Sequence, residues 1–306
     1  MVSLHGFFAA IPTPFSSDRK TIAADVLGGL VERNLGAGLA GLYVGGSTGE
    51  AFLMSTEERA QLLKLTAESA EGRGVLIAHV GDLNPAVSAH LARTAADAGY
   101  HAISAVPPFY YQYTIREIAD HYHWLARQTD LPFLIYNFPA LSGVRWSVDD
   151  LGNLLDIPQV VGVKNTCSDL YAFEQLRNLR PDAALLHGFD ETLVAGLTMG
   201  ADGGIGSSYN LQASRILALA AALERGDTKQ AQQHQMEANR LIDALVSTSV
   251  IPGLKYMLGR AGLAMGPCRS PFHPLSDDQR RTLDTAMDLL PPSGLSQGQT
   301  RPTAMG

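Results

Sequence analysis

The chain has 306 residues, of which 46% are hydrophobic and 17% charged, enough for one α/β barrel of about 250 residues with an extension or for two smaller domains. Its net charge of -7 excludes a general nucleic-acid surface, which needs an excess of basic residues. The 30 glycines suit a fold with many short turns between strands and helices.

Apolar strands and segments of helical period alternate along residues 1–226. Strands are predicted at residues 6–11, 41–44, 75–80, 102–106, 133–136, 160–164, 184–187 and 203–205. Helices, in which apolar residues recur at three- and four-residue spacing, are predicted at 25–35, 56–70, 85–98, 115–129, 148–155, 169–179, 190–199 and 211–225. Eight such units with short loops predict a closed (β/α)8 barrel, a TIM barrel, with an open doubly wound sheet as the alternative.

After residue 226 the pattern changes to helices without intervening strands. Helices are predicted at 227–246, 254–261 and 277–290, so residues 227–290 are expected to form a C-terminal helical extension of the barrel. Residues 291–306 are rich in Pro, Gly, Ser, Gln and Thr, a composition typical of a disordered tail.

The compartment is predicted from the cysteines and from the N-terminus. Cys167 and Cys268 form no CxxC motif and are too few for a zinc site or a disulfide framework. No apolar run approaches the ~20 residues of a membrane span, and the N-terminus lacks a basic region and carries Pro12 and Pro14. We therefore expect a cytoplasmic protein, with no membrane or nucleic-acid partner. No HExxH motif or carboxylate cluster appears, so no metal is expected.

Lys164 is the most informative residue, because it closes the apolar strand at 160–164 with a charge. A lone ammonium on a buried strand is costly unless something uses it. Burial disfavours the charged form of an amine, and a neutral amine attacks carbonyl groups to form Schiff bases. The alternative is an ordinary strand-end lysine that is paired with a carboxylate.

Other reactive groups follow the predicted strands, where a barrel of this kind carries its active site. A Gly-Gly-Ser-Thr-Gly-Glu turn at 45–50 offers N–H groups and hydroxyls to an anion such as a carboxylate, or simply caps the next helix. Tyr136 is either a proton relay or a core aromatic residue. The aromatic run at 109–111 is either a lid or an oligomer contact. Asp190 and Glu191 either serve a helix dipole or bind sugar hydroxyls.

Four segments carry a resemblance to a known family. The turn at 45–50, the Tyr-Asn pair at 136–137, Gly-Val-Lys at 162–164 and the glycine-rich stretch at 203–207 resemble the pyruvate-dependent class I aldolases, the family of the N-acetylneuraminate lyases and dihydrodipicolinate synthases. The resemblance runs from about residue 6 to residue 290.

Within this family, residues 136–144 look like the sialic acid lyase version of their loop. The synthase branch has an arginine in this loop, whereas this chain has Ala140 and Leu141, and Arg145 falls too late to match. Three places depart from the lyase pattern: Asn165, His187 and the pair Ile251-Pro252 near the C-terminal helices. These departures leave the lining of the pocket and the sugar preference open.

The resemblance implies a role for each matching residue. Lys164 would form an imine with the C2 ketone of the open-chain sugar, and Tyr136 would relay a proton. Ser47 and Tyr110, the latter from a neighbouring subunit, would hydrogen-bond Tyr136, and Thr48 with Ser47 would bind the adjacent carboxylate. The residues expected to hold the polyhydroxyl chain are Thr166, Gly188, Asp190, Glu191 and Ser207.

The activity that the resemblance implies is reversible cleavage of N-acetylneuraminate to N-acetylmannosamine and pyruvate. It would need no metal or organic cofactor, and the family suggests a homotetramer. Three alternatives stay open: an aldolase for another 2-keto-3-deoxy sugar acid, a dihydrodipicolinate synthase, and a non-catalytic ligand-binding barrel.

Overall fold

A closed barrel of eight parallel strands forms the centre of the protein in a computed structural model that describes residues 4–291. Each strand pairs with the next, and the last pairs with the first, so the predicted (β/α)8 barrel is confirmed and the open sheet is excluded. The strands are β1 (Gly6–Ala10), β2 (Gly41–Val44), β3 (Val75–His79), β4 (Ala102–Ala105), β5 (Phe133–Asn137), β6 (Val160–Asn165), β7 (Ala184–His187) and β8 (Gly203–Gly206).

Helices cover the outside of the barrel between and after the strands. They are α1 (Ala24–Gly36), α2 (Thr56–Ala70), α3 (Pro85–Asp97), α4 (Ile115–Ala126), α5 (Pro139–Ser142), α6 (Val148–Leu154), α7 (Leu170–Leu179), α8 (Leu193–Thr198) and α9 (Tyr209–Glu224). Capping boxes begin α2, α4 and α6, in which a Ser or Thr side chain and an acid three residues later satisfy the first N–H groups.

The predicted helix at 190–199 is wrong in its first turn, because a 3-10 helix at Asp190–Thr192 precedes α8. Thr192 has φ -127° and ψ 25°, which interrupts the helix. The tertiary structure fixes this interruption, since the Asp190 carbonyl accepts a hydrogen bond from Gln235 Nε2 at 2.9 Å. The break leaves the Asp190 side chain facing the ends of the strands.

Three further helices follow the barrel units: α10 (Thr228–Thr248), α11 (Val250–Arg260) and α12 (Asp277–Ala286). The second begins earlier than predicted, because Pro252 sits in the first turn, where its missing N–H is not needed. A 3-10 turn at Met287–Leu289 replaces the end of the predicted helix 277–290. The tail predicted at 291–306 lies outside the described residues, apart from its first residue.

Two apolar layers surround the strands because successive side chains point to opposite faces. One layer lies between strands and helices and includes Leu42, Ile103 and Val163. The other fills the barrel interior and includes Tyr43, Tyr136, Leu186 and other strand residues of alternate register. The interior layer thus places two phenols inside the barrel.

Within residues 4–291, no single helix is long and apolar enough to cross a membrane, and α10 and α11 reach that length and hydropathy only as a pair bent by 118°. The same residues contain no group of three or more His, Cys, Asp or Glu side chains placed to hold a metal ion.

Candidate active site

Lys164 lies inside the barrel at the end of β6, beside Tyr136 of β5 and Leu186 of β7 in the strand register. The residue is 4% exposed. Its Nζ atom lies 4.2 Å from the centre of the Tyr43 ring and 3.9 Å from the centre of the Tyr136 ring. None of the ion pairs formed by residues 4–291 involves Lys164, so the alternative of a carboxylate-paired lysine is wrong. Two aromatic faces surround the amine instead.

Tyr43 is a site residue that the sequence analysis missed. Leu42 and Val44 of β2 face the helices, so the alternation of side chains along the strand directs the Tyr43 ring into the barrel. This two-residue period was a signal that could have identified Tyr43. Its hydroxyl is 3.1 Å from Ser104 Oγ, and burial raises the pKa of its phenol well above the usual value. Tyr43 is therefore a neutral wall of the lysine pocket.

The 45–50 turn follows directly from Tyr43 and packs on its ring. A Cβ atom added at Gly46 would come 2.6 Å from Tyr43 Cε1, so only glycine fits there. The turn and Lys164 Nζ therefore both lie against the Tyr43 ring. Within the described chain, the N–H groups of Ser47 and Thr48 have no hydrogen-bond partner, and both side chains are half-buried. These groups are free to bind an anion.

Two side chains outside the turn hold it in shape. Thr13 Oγ1 donates to the carbonyl of Gly49 at 2.6 Å, and His79 Nδ1 lies 3.0 Å from the carbonyl of Gly45. Burial, and then the positive charges of Arg59 and Lys164, hold the pKa of His79 well below its usual value. A neutral imidazole that donates through Nδ1 fits both observations.

Thr166 and Gly188 lie against one another beyond the ends of β6 and β7. The Thr166 hydroxyl is buried and has no hydrogen-bond partner among residues 4–291. A buried hydroxyl without a partner is costly, so this oxygen is available to a bound ligand. A Cβ atom added at Gly188 would come 1.9 Å from Thr166 Oγ1.

Gly188→Ala should therefore displace the Thr166 side chain and destabilise the fold by about 1–3 kcal/mol, the usual cost of overpacking. Thermal unfolding of the purified variant measures the loss. Gly259→Ala is the matched control, because an added Cβ there has no heavy atom within 4 Å and the position is helical. If the Gly188→Ala variant has the same melting temperature as the Gly259→Ala control, the close contact between Gly188 and Thr166 is contradicted.

Asp190 points its carboxylate toward the end of β8. Its Oδ2 atom accepts the Ser208 N–H at 2.8 Å, and a Cβ atom at Gly206 would come 2.2 Å from Oδ1. Burial raises the pKa of Asp190 to about 6. Two side chains of α10 hold the segment at Asp190 and Glu191 in place. Asn239 Nδ2 donates to the Glu191 carbonyl at 3.0 Å, and Gln235 Nε2 donates to the Asp190 carbonyl.

The raised pKa of Asp190 predicts a pH-dependent stability. The folded-state pKa of about 6 lies above the unfolded value near 3.9, so the folded protein holds this proton more tightly. The stabilisation is complete below about pH 4 and is lost as the pH rises through 6, a loss of roughly 3 kcal/mol. Asp190→Asn should escape this loss, so urea unfolding should show the variant gaining on the native protein between pH 4 and pH 7. A difference that does not change with pH contradicts the assignment.

The remaining predicted site residues lie at the rim. Ser207 is half-buried beside β8, and the Glu191 side chain is exposed. Tyr110 is 82% exposed with φ 78°, and its ring packs edge-on to Tyr111 at 5.1 Å. Among the hydrogen bonds of residues 4–291, none joins the hydroxyls of Ser47 and Tyr136, and none is made by Tyr110 to Tyr136.

Two of the three departures from the lyase pattern lie outside the barrel interior. Asn165 Oδ1 accepts from Asn137 Nδ2 at 2.6 Å on the helix-facing side of the strands. The His187 ring packs against Gly196 of α8, and its Nε2 atom lies 2.9 Å from Thr192 Oγ1. Neither lines the lysine pocket. Burial lowers the pKa of His187 to about 4, so the imidazole is neutral.

The third departure, Ile251, does border the site. It lines an apolar cleft of about 390 Å³ together with Ser47, Phe52 and Leu141. Arg145 lies elsewhere, in a cavity of about 340 Å³ on the helix side of β5 and β6. The cleft at Ile251 is thus the place where this chain's pocket is expected to differ from its relatives.

The fold and the site define a (β/α)8 barrel with a buried lysine that has no carboxylate partner among residues 4–291, beside a turn whose Ser47 and Thr48 N–H groups have no partner in the same part of the chain. The sequence matches the model of the Dihydrodipicolinate synthetase family over residues 3–289, and the chain belongs to this family.

Individual relatives are similar over most of the chain. N-acetylneuraminate lyase of Salmonella typhimurium is 44% identical over 277 residues, which cover 90% of this chain and 93% of the relative. The crystal structure of N-acetylneuraminate lyase from Mycoplasma synoviae superposes with a TM-score of 0.87 at 34% identity, covering 94% of this chain and 98% of that one. A dihydrodipicolinate synthase from Bacillus anthracis reaches a TM-score of 0.91 at 27% identity, covering 95% and 100%.

Proposed function

We propose that this chain is a Schiff-base lyase that reversibly cleaves N-acetylneuraminate to N-acetylmannosamine and pyruvate through Lys164. The observation that carries the proposal is the buried amine of Lys164, which has no carboxylate partner within residues 4–291 and lies between two phenol rings next to the 45–50 turn. A buried primary amine of this kind is suited to attack a ketone.

The chemistry needs only this amine and groups that move protons. Lys164 reacts in its unprotonated form: its amine adds to the C2 ketone and water leaves, which gives an imine. Protonation of the imine creates a positive charge at Nζ, where the Tyr43 and Tyr136 rings stabilise a cation. Tyr136 would take the proton from the C4 hydroxyl, and C4 then leaves as the aldehyde carbon of N-acetylmannosamine. The electron pair of the broken C3–C4 bond passes into the protonated imine to form an enamine. Protonation at C3 and hydrolysis release pyruvate and the free lysine.

The substrate groups are assigned to the site by chemistry. The carboxylate next to the ketone would bind the free N–H groups and hydroxyls of Ser47 and Thr48. The unpartnered Thr166 hydroxyl, the Asp190 carboxylate and Ser207 would bind hydroxyls of the sugar chain, with Gly188 leaving the necessary space. Glu191 would contribute from the rim.

The synthase alternative is disfavoured by the sequence. The chain is 44% identical to the lyase of Salmonella typhimurium and 27% identical to the synthase of Bacillus anthracis. Superposition does not separate the two branches, since the lyase of Mycoplasma synoviae and this synthase give TM-scores of 0.87 and 0.91. The loop that includes α5 carries Leu141 rather than an arginine, and Arg145 lines a cavity on the other side of the strands. A second carboxylate therefore has no cationic partner in this loop.

An aldolase for a different 2-keto-3-deoxy sugar acid is supported by one observation. Ile251 lines the same cleft as Ser47, whereas Asn165 and His187 do not line it. The size and shape of this residue would affect which sugar acid fits, while the chemistry at Lys164 would be unchanged.

The proposal is tested by trapping and by a substrate panel. Sodium borohydride with pyruvate should reduce the imine to a secondary amine and leave a 1-carboxyethyl group on Nζ of Lys164, which peptide mass spectrometry locates. Release of pyruvate is then measured from N-acetylneuraminate and from 2-keto-3-deoxygluconate. An unmodified Lys164 would favour the non-catalytic barrel, whereas trapping with release only from the second substrate would favour the sister aldolase.

We also propose the assembly and the compartment. A neighbouring subunit would supply Tyr110 to Tyr136, because the Tyr110 ring is exposed and makes no hydrogen bond to Tyr136 within residues 4–291 of its own chain. This fits a homotetramer, which sedimentation measures directly. Cys167 and Cys268 are both free thiols, which suits a reducing cytoplasm.

A further inference from the structure

A buried ion pair joins the last residue of the 45–50 turn to α11. Glu50 ends the turn in a left-handed conformation, with φ 59° and ψ 36°, which is unusual for a residue with a side chain. Its carboxylate is fully buried and contacts Nζ of Lys255, a residue of α11 that is itself 2% exposed in its side chain. Neither residue touches Lys164, and no step of the proposed chemistry uses them.

The contacts of Glu50 join the turn to the C-terminal helices. Oε2 accepts the backbone N–H of Arg269 at 2.8 Å, and Oε1 forms the ion pair with Nζ of Lys255. Lys255 Nζ and the Arg269 guanidinium lie over the ring of Phe15 at 4.4 and 4.3 Å. The Arg269 guanidinium also pairs with Glu58 in the first turn of α2.

This network fixes the backbone at one end of the turn. The Glu50 N–H donates to the carbonyl of Ser47 at 3.1 Å, so the position of Glu50 sets the orientation of the peptide groups that precede it. A charged side chain buried with a single counterion cannot move without separating the two charges, which is strongly unfavourable in a dry environment. The Glu50–Lys255 ion pair therefore holds the position of Glu50 rigidly.

We propose that Glu50 and Lys255 are positioning residues whose ion pair holds the Ser47 and Thr48 donors in the arrangement that captures the carboxylate of the keto acid. The proposal rests on the function proposed above and adds two residues to it that touch no reacting atom. The C-terminal extension would thereby take part in substrate capture from behind the turn.

The experiment measures the pyruvate concentration that gives half-maximal borohydride trapping at Lys164. Glu50→Gln and Lys255→Met should each raise this concentration by about tenfold or more, equivalent to the loss of one well-oriented charged contact. Trapping at saturating pyruvate should still modify Lys164 completely. Because either single variant leaves one buried charge and could fail to fold, the double variant Glu50→Gln/Lys255→Met is included, and it should fold and still need more pyruvate.

A matched control comes from the opposite end of the barrel. Asp202, just before β8, pairs with Arg177 at 2.5 Å and is about as buried as its partner. Asp202→Asn should lower the melting temperature without changing the pyruvate concentration for half-maximal trapping. The proposal is overturned if the double variant captures pyruvate like the native protein, or if Asp202→Asn weakens capture equally. Failure of the native protein to be trapped would instead overturn the proposed function.

Discussion

Lys164→Met should abolish sugar-acid cleavage while leaving the protein at least as stable as the native form. Loss of a covalent nucleophile commonly costs on the order of 10⁴-fold or more in turnover, because no other group forms the intermediate. Methionine keeps the length of the side chain and its contact with the Tyr43 and Tyr136 rings, and it removes a buried amine that has no carboxylate partner within residues 4–291. Pyruvate release and thermal unfolding measure the two effects.

The contrast with Lys255 makes this prediction specific. Lys164 and Lys255 are both buried, but Lys255 is paired with Glu50. Lys255→Met should therefore lower the melting temperature, whereas Lys164→Met should hold or raise it by a few degrees. In the native protein the reduced pyruvate adduct should map to Lys164 and not to Lys255. Residual cleavage by Lys164→Met at the native rate is incompatible with a Schiff base at this position.

Tyr136→Phe should keep imine formation and lose about 10²- to 10⁴-fold in turnover, the range expected for a positioned acid–base group. The Tyr136 ring is 3% exposed, stacks on Phe138 and lies edge-on to His79, so phenylalanine preserves this packing and the contact with Lys164. The substitution removes only the hydroxyl. Single-turnover trapping with pyruvate should proceed normally, while steady-state release of pyruvate should be slow.

Tyr43→Phe is the matched control for the hydroxyl of Tyr136. Both rings lie against Lys164 Nζ, but the Tyr43 hydroxyl is bonded to Ser104 and faces away from the reaction. Its loss leaves Ser104 without this partner and should destabilise the fold by about 1–3 kcal/mol. Turnover should change little. If the two variants lose activity equally, the proton relay does not belong to Tyr136.

The strands were predictable because they are buried on both faces. Each of the eight begins at the predicted residue and ends within one residue of the prediction. Parallel barrel strands appear in a sequence as short apolar runs between turns, and this signal needs no tertiary information.

Several helix ends were not predictable because distant contacts decide them. The 3-10 turn at Asp190–Thr192 is held by Gln235, 45 residues further along the chain. Helix α11 begins at Val250 although Pro252 follows two residues later, and a proline near a boundary reads equally well as a stop. Local propensity carries no information about such partners.

The site shows the same division. The positions of Lys164, Tyr136 and the 45–50 turn at strand ends follow from the strand pattern. The aromatic walls around the amine and the pairing of Glu50 with Lys255 depend on which strands and helices meet in space. Spacing along one chain cannot supply that information.

Lys164 and the two rings beside it belong to strands, whereas Thr166, Gly188 and Ser207 follow strands in loops. The amine that would form the imine is thus built into the strands of the barrel, whereas the residues proposed to bind the sugar chain lie in loops that can change without altering the strands. Substitutions in these loops can therefore change which aldehyde is accepted, while the enamine of pyruvate at Lys164 remains the carbon nucleophile. Mutant libraries restricted to those loops are accordingly the efficient route to catalysts that join pyruvate to unnatural aldehydes.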